Sequence, residues 1–135
     1  MGVLIDASVL IEHERGRIDL QRRLDGREGE EFFLSVITAS ELLHGVHRAT
    51  DAAIRARRSA LVEAILERLP LLHVDLATAR THAQLWAELA SVGQLIGPHD
   101  LWLAATALEH GLTLVTANLR EFKRVPALVV ESWIG

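Results

Sequence analysis

Four side chains able to hold a cation or a polar substrate stand at comparable places in the chain: Asp6, Glu41, Asp100 and Asn118. Asp6 directly follows the apolar run Val3-Leu4-Ile5. Glu41 comes shortly after the run from Phe32 to Val36. Asp100 opens a helical stretch behind Gly97-Pro98-His99, and Asn118 follows the run from Leu112 to Thr116. In three of these cases a segment that reads as a strand ends just ahead of the polar residue. In an open sheet of parallel strands, ligands bind at the carboxyl ends of the strands. Carboxylates from distant parts of the sequence would then share one edge. Such a cluster repels itself unless a divalent cation fills it, and hard cations take oxygen ligands while keeping several waters. Mg²⁺, with Mn²⁺ as a substitute, is therefore the expected cofactor. An ion of that kind makes hydroxide from bound water and stabilises charge at a phosphoryl centre.

Each position also has a purely structural explanation. Asp6 can cap the helix that follows it. Thr38-x-x-Glu41 fits a capping box. Asp100 in a first helical turn is favoured by the helix dipole, and Asn118 suits a turn. The joint placement of all four at converging strand ends favours the metal-site reading.

The elements that position these residues can be read from the same pattern. Strands are expected at 3–5, 32–36, 71–74, 112–116 and 128–130. Helices are expected at 7–14, 17–24, 38–48, 51–69, 75–91 and 99–110, with a single turn at 119–122. Pro70 ends the fourth helix, and Gly93 and Gly111 close the two that follow. In the helix from Asp75, the residues Leu76, Ala79, Ala83, Trp86 and Ala90 are expected to face the core. Strands alternating with helices give an α/β fold. The expectation is one domain over residues 1–135, with a central, mostly parallel sheet of four to five short strands flanked by helices on both faces.

Composition narrows the possibilities. With 50% apolar and 24% charged residues in 135, the chain can bury a core. It has no cysteine, which excludes disulfides, thiolate metal sites and cysteine nucleophiles and permits a reducing cytoplasm, the expected location. No secretory leader is expected, and no apolar run approaches the ~20 residues needed to cross a bilayer. The net charge of −4 argues mildly against binding nucleic acid by bulk electrostatics. Basic residues do cluster at Arg22-Arg23, at Arg55-Ala56-Arg57-Arg58 and around Arg120, Lys123 and Arg124.

Other residues weigh less. Glu41-x-x-His44 has di-iron spacing, but such sites need two copies of the motif. His99, beside Asp100, is a candidate proton donor. Trp86 is expected in the core, Trp102 at the rim of the site, and Trp133 against a partner. A haloacid-dehalogenase-type phosphotransferase would need a second Asp where Ser8 stands. A receiver domain would need an acidic pair after the first strand and a Lys near Thr116.

The segments MGVLIDASVLIE, SVITASELLHGV, IGPHDLWLAATAL and LTLVTANLREFKRVPAL resemble, in order and spacing, the four blocks of the PIN-domain family. More narrowly, they resemble the VapC-type toxins of bacterial toxin–antitoxin pairs. The resemblance implies a Mg²⁺- or Mn²⁺-dependent endoribonuclease acting on tRNA or rRNA. Asp6, Glu41 and Asp100 match the family's acidic metal site. Thr116 and Asn118 match its last block, where many members carry Asp at the position of Asn118; here Asn would orient water or substrate. Arg120 and Lys123 are candidate phosphate contacts. A VapB-like antitoxin over the site, with helices 38–69 as its groove, and a homodimer are also implied. The alternative is a catalytically inactive PIN-like module that only binds protein, which would show no carboxylate-dependent Mn²⁺ site.

Overall fold

The computed structural model describes residues 2–133. Five strands form one sheet: β1 (Gly2–Ile5), β2 (Glu31–Ser35), β3 (Leu71–Leu72), β4 (Thr113–Val115) and β5 (Val130–Glu131). Their order is β3-β2-β1-β4-β5, and every neighbouring pair is parallel. The helices are α1 (Ala7–Glu14), α2 (Leu20–Leu24), α3 (Val36–Arg48), α4 (Ala52–Arg68), α5 (Leu76–Ser91), α6 (Pro98–His110) and α7 (Leu119–Phe122).

The central strand β1 is apolar on both faces, as a strand buried in a parallel sheet must be. Its side chains alternate across the sheet. Val3 and Ile5 pack with Val9, Leu10, Leu42, Val46 and Val62 of α1, α3 and α4. Leu4 packs on the opposite face with Leu85, Leu89, Leu101, Ala104 and Phe122 of α5, α6 and α7. Fully burying each of the large side chains contributes ~1.5–3 kcal/mol. Of these helices, α1 follows β1, α3 follows β2 and α7 follows β4, so these three begin at the C-terminal edge of the sheet.

Several boundaries differ from the sequence expectation. The second helix starts at Leu20 rather than Arg17, because Asp19 caps it by accepting from the Arg22 N–H. The third starts at Val36, where the Ser35 hydroxyl accepts from the Ile37 N–H. Thr38 therefore lies inside α3, and the Thr38-x-x-Glu41 box does not cap it. The last strand falls at Val130–Glu131 because Pro126 and Ala127, the latter at φ 65°, turn the chain first.

The clearest correction concerns α5. Its buried residues are Thr78, His82, Leu85 and Leu89, whereas Leu76 and Trp86 stand 67% and 53% exposed. Both stripes have helical spacing, so periodicity alone could not decide between them. The Asp75–Thr78 capping box and the stack of His82 on Trp102 turn the polar-looking stripe inward.

Candidate active site

Asp6 stands one residue beyond β1 and is 5% exposed. Its backbone N–H donates to the Val115 carbonyl at 2.9 Å, which ties it to β4. It occupies the N-cap position of α1 but makes no side-chain cap bond. Its Oδ2 instead accepts from Ser8 Oγ at 2.7 Å and from Thr116 Oγ1 at 2.8 Å. Each hydroxyl is itself oriented by the backbone. The Ala117 N–H donates to Ser8 Oγ and the Asn118 N–H to Thr116 Oγ1, both at 2.9 Å. An oxygen that already accepts directs its own proton elsewhere, here to Asp6.

Glu41 and Asp100 come to the same place from helices. Glu41, on α3, lies with Oε1 3.7 Å from His99 Nδ1, and its side chain is one-third exposed. Burial raises its pKa, the charge of Asp6 adds to this, and His99 opposes both. Asp100 is in the first turn of α6, whose N-cap Gly97 offers no side chain. Burial pushes the Asp100 carboxyl up to about 7, helped by Asp6, Glu121 and Glu41. The charge of Asp6 raises both Glu41 and Asp100, and Glu41 raises Asp100, which marks carboxylates gathered at one sheet edge.

Glu121, on α7, is an acid of this site that the sequence reading missed. It accepts from the Gly97 N–H at 2.8 Å through Oε1 and from Asn118 Nδ2 at 2.9 Å through Oε2. These donors hold its carboxylate below the ordinary range, and it hydrogen-bonds Asp100 as well. The Asn118-x-x-Glu121 spacing across one helical turn was the available signal.

The structure sorts the remaining expectations. Asn118 points its amide at Glu121 rather than capping α7. Thr116, expected to touch substrate, is fully buried and its hydroxyl is committed to Asp6. Arg120 and Lys123 are exposed beside Glu121. His44 and His47 are exposed and join no metal-binding group among the described residues. Trp102 stacks on His82 at 3.6 Å and 14° on the α5 side of α6, away from the expected rim. Trp133 is buried against Phe32, with its ring near the Arg27 guanidinium.

The donor set fits a hard divalent cation. Every candidate ligand is a carboxylate oxygen, and Mg²⁺ commonly uses one or two carboxylates and keeps waters for the rest of its shell. Among the described residues no three acidic or histidine side chains are drawn together tightly enough to enclose an ion as they stand. Thr38 Oγ1, on the helix face that also bears Glu41, is buried and has no hydrogen-bond partner among the described residues. A hydrated ion supplies the waters such a hydroxyl requires.

Comparison with known proteins agrees with this geometry. The sequence profile of the PIN domain matches residues 3–128. Ribonuclease VapC1 of Rickettsia felis is 32% identical over 130 residues, covering 96% of this chain and 95% of that protein. The tRNA(fMet)-specific endonuclease VapC of Salmonella typhimurium is 36% identical over 122 residues, covering 90% and 85%. The crystal structure of DNA-bound VapBC from Salmonella typhimurium superposes with a TM-score of 0.87 at 31% identity, covering 98% of both chains. The chain therefore belongs to the PIN-domain family and, within it, to the VapC ribonucleases.

Proposed function

We propose that this chain is the toxin of a toxin–antitoxin pair and hydrolyses RNA phosphodiester bonds endonucleolytically, with tRNA or rRNA as substrate and Mg²⁺ or Mn²⁺ as cofactor. The supporting observation is the Asp6 corner. One carboxylate oxygen is held by two oriented hydroxyls at an edge shared with Glu41 and Asp100. In this reading Asp6 and Asp100 hold the ion and Glu41 binds it or orients the attacking water. The ion supplies Lewis acidity toward the phosphate and a water of lowered pKa. Glu121 and Asn118 set the position of Asp100 and of the α6 start. Arg120 and Lys123 meet phosphates flanking the cut. The relatives are named as ribonucleases, which supports catalysis over the binding-only alternative.

The proposed antitoxin contact is a groove between α1, α3 and α4. Leu10, Ile11, Leu42, Leu61 and Ile65 line it, and it reaches Glu41 at one end. An amphipathic helix is the segment such a groove accepts. The exposed stripe of α5 is the proposed homodimer contact, since Leu76, Ala79, Ala83, Trp86 and Ala90 follow the alternating three- and four-residue spacing of a helix–helix seam. Among the described residues no helix is long and apolar enough to cross a membrane. Action on cytoplasmic RNA is part of the proposal.

The deciding experiment is cleavage of a total tRNA and rRNA pool by antitoxin-free protein with Mg²⁺, with Mn²⁺ and with EDTA, alongside Asp6→Asn and Asp100→Asn. Discrete cuts that need metal and disappear in both variants are expected. Equal cutting by wild type and variants would expose a contaminant.

A further inference from the structure

Beside the carboxylates lies an open pocket lined by Glu41, Gly97, Pro98, His99 and Asp100. Its two charged walls are acidic, Gly97 has no side chain, and Pro98 has no N–H. His99 is the only residue of this lining whose side chain can donate a hydrogen bond when the carboxylates are ionised. Its ring is 62% exposed. The 3.7 Å from Nδ1 to Glu41 Oε1 is too long for a hydrogen bond, so Glu41 does not use the ring's donor. Pro98 at the first helical position presets the backbone ahead of His99, which directs the imidazole from a fixed point on α6.

An RNA strand crossing this wall meets charge of its own sign at Glu41 and Asp100. A cation held by Asp6 and Asp100 would answer the phosphate being cut, but the neighbouring phosphate or ribose needs a donor of its own. We propose that His99 is a substrate-contacting residue that donates from its imidazole to the RNA backbone next to the cleaved bond. A neutral ring suffices, because one of its nitrogens always carries a proton. The inference rests on the ribonuclease reading and adds to it a contact supplied by α6 itself.

The test compares wild type with His99→Phe, which keeps a ring without the donor, and His99→Gln, which restores a donor. Cleavage of the tRNA pool gives apparent KM and kcat. Fluorescence anisotropy of the labelled pool, with Ca²⁺ replacing Mg²⁺ to hold RNA uncut, gives Kd. His99→Phe is expected to raise KM and Kd about tenfold with kcat within about twofold, and His99→Gln to stay within about threefold of wild type. Unchanged KM and Kd in His99→Phe would overturn the proposal. So would a fall in kcat alone, which would make His99 a positioning residue for Glu41. A wild type that cuts nothing speaks against the ribonuclease reading, while the binding comparison still decides the role of His99. If His99→Phe lowers the Tm, His99→Ala goes through the same assays.

Discussion

The two sides of the site are built by different means. The Asp6 side belongs to the sheet: strand ends carry it, it is buried, and two hydroxyls with backbone-fixed orientations grip one oxygen. The Glu41 and Asp100 side belongs to helix starts. It is half-buried, and both of its carboxyls are pushed upward by burial and by the charge of Asp6, with Glu41 and Glu121 adding to the rise at Asp100. One side is organised before a cation arrives. On the other, the raised Asp100 carboxyl makes protons compete with a cation, so metal binding there would be linked to proton release.

The largest expected effect comes from removing charge on the organised side. Asp6→Asn puts an amide against two hydroxyl donors and removes a ligand. Loss of a catalytic ion forfeits several kcal/mol, so cleavage should fall on the order of 10³-fold. Mn²⁺ binding by calorimetry should weaken in parallel, and retention of binding would break the comparison. Next come the grips themselves. Thr116→Val and Ser8→Ala should each lower metal affinity or activity ~10–100-fold, the usual cost of losing a ligand's orienting partner. Each should also cost ~1 kcal/mol of stability in urea unfolding. A larger effect of either variant on Kd for RNA than on metal affinity would return Thr116 to the substrate-binding role expected from sequence.

The difference between the two sides also decided what could be read beforehand. Asp6 was legible because a run of three apolar residues ending in Asp fixes both the strand and its edge. Glu41 and Asp100 were legible by type, but their environment was not, since burial and mutual charge depend on how α3 and α6 meet. Glu121 was hidden because its function comes from a bond to Gly97, 24 residues away. The parallel sense of the sheet followed the alternation of strand and helix, whereas the order β3-β2-β1-β4-β5 came only from the structure. The buried stripe of α5 did not follow, because two stripes of equal period competed and a histidine stacked on an indole outweighed hydropathy.

On the charge-loaded side, Glu121→Gln should reduce cleavage about tenfold, since it loosens Gly97 while leaving Asp6, Glu41 and Asp100 in place. It should also shift the acidic limb of the pH–rate profile downward, because one of the charges raising Asp100 is gone. An unmoved limb would assign that limb to another group. Metal-free protein gives a smaller signal. Folding raises the Asp100 carboxyl from 3.8 to about 7, so it favours the protonated form. That contribution is complete below the unfolded value and disappears as pH rises through the folded one. Metal-free Asp100→Asn should therefore exceed wild type in Tm at pH 8, on the order of 3 °C, with the advantage shrinking toward pH 4. An equal Tm difference at both pH values would contradict it. Smallest of all, Arg120→Ala and Lys123→Ala should each raise KM about twofold, and the effect should fade with added salt.

The three tryptophans acquire a practical meaning from their surroundings. Trp133 is enclosed with Phe32 and Arg27, Trp102 lies flat on His82, and Trp86 stands 53% exposed with its edge to the same histidine. The molecule thus carries three optical reporters in distinct settings. Emission from Trp133 should move only on global unfolding. Quenching by added iodide should fall mainly on Trp86, and the proposed dimer through α5 would diminish it. Trp102 should dim when His82 gains a proton, an event that burial delays to more acidic solution. Single-tryptophan variants would separate folding, assembly and protonation in one cuvette without an attached dye.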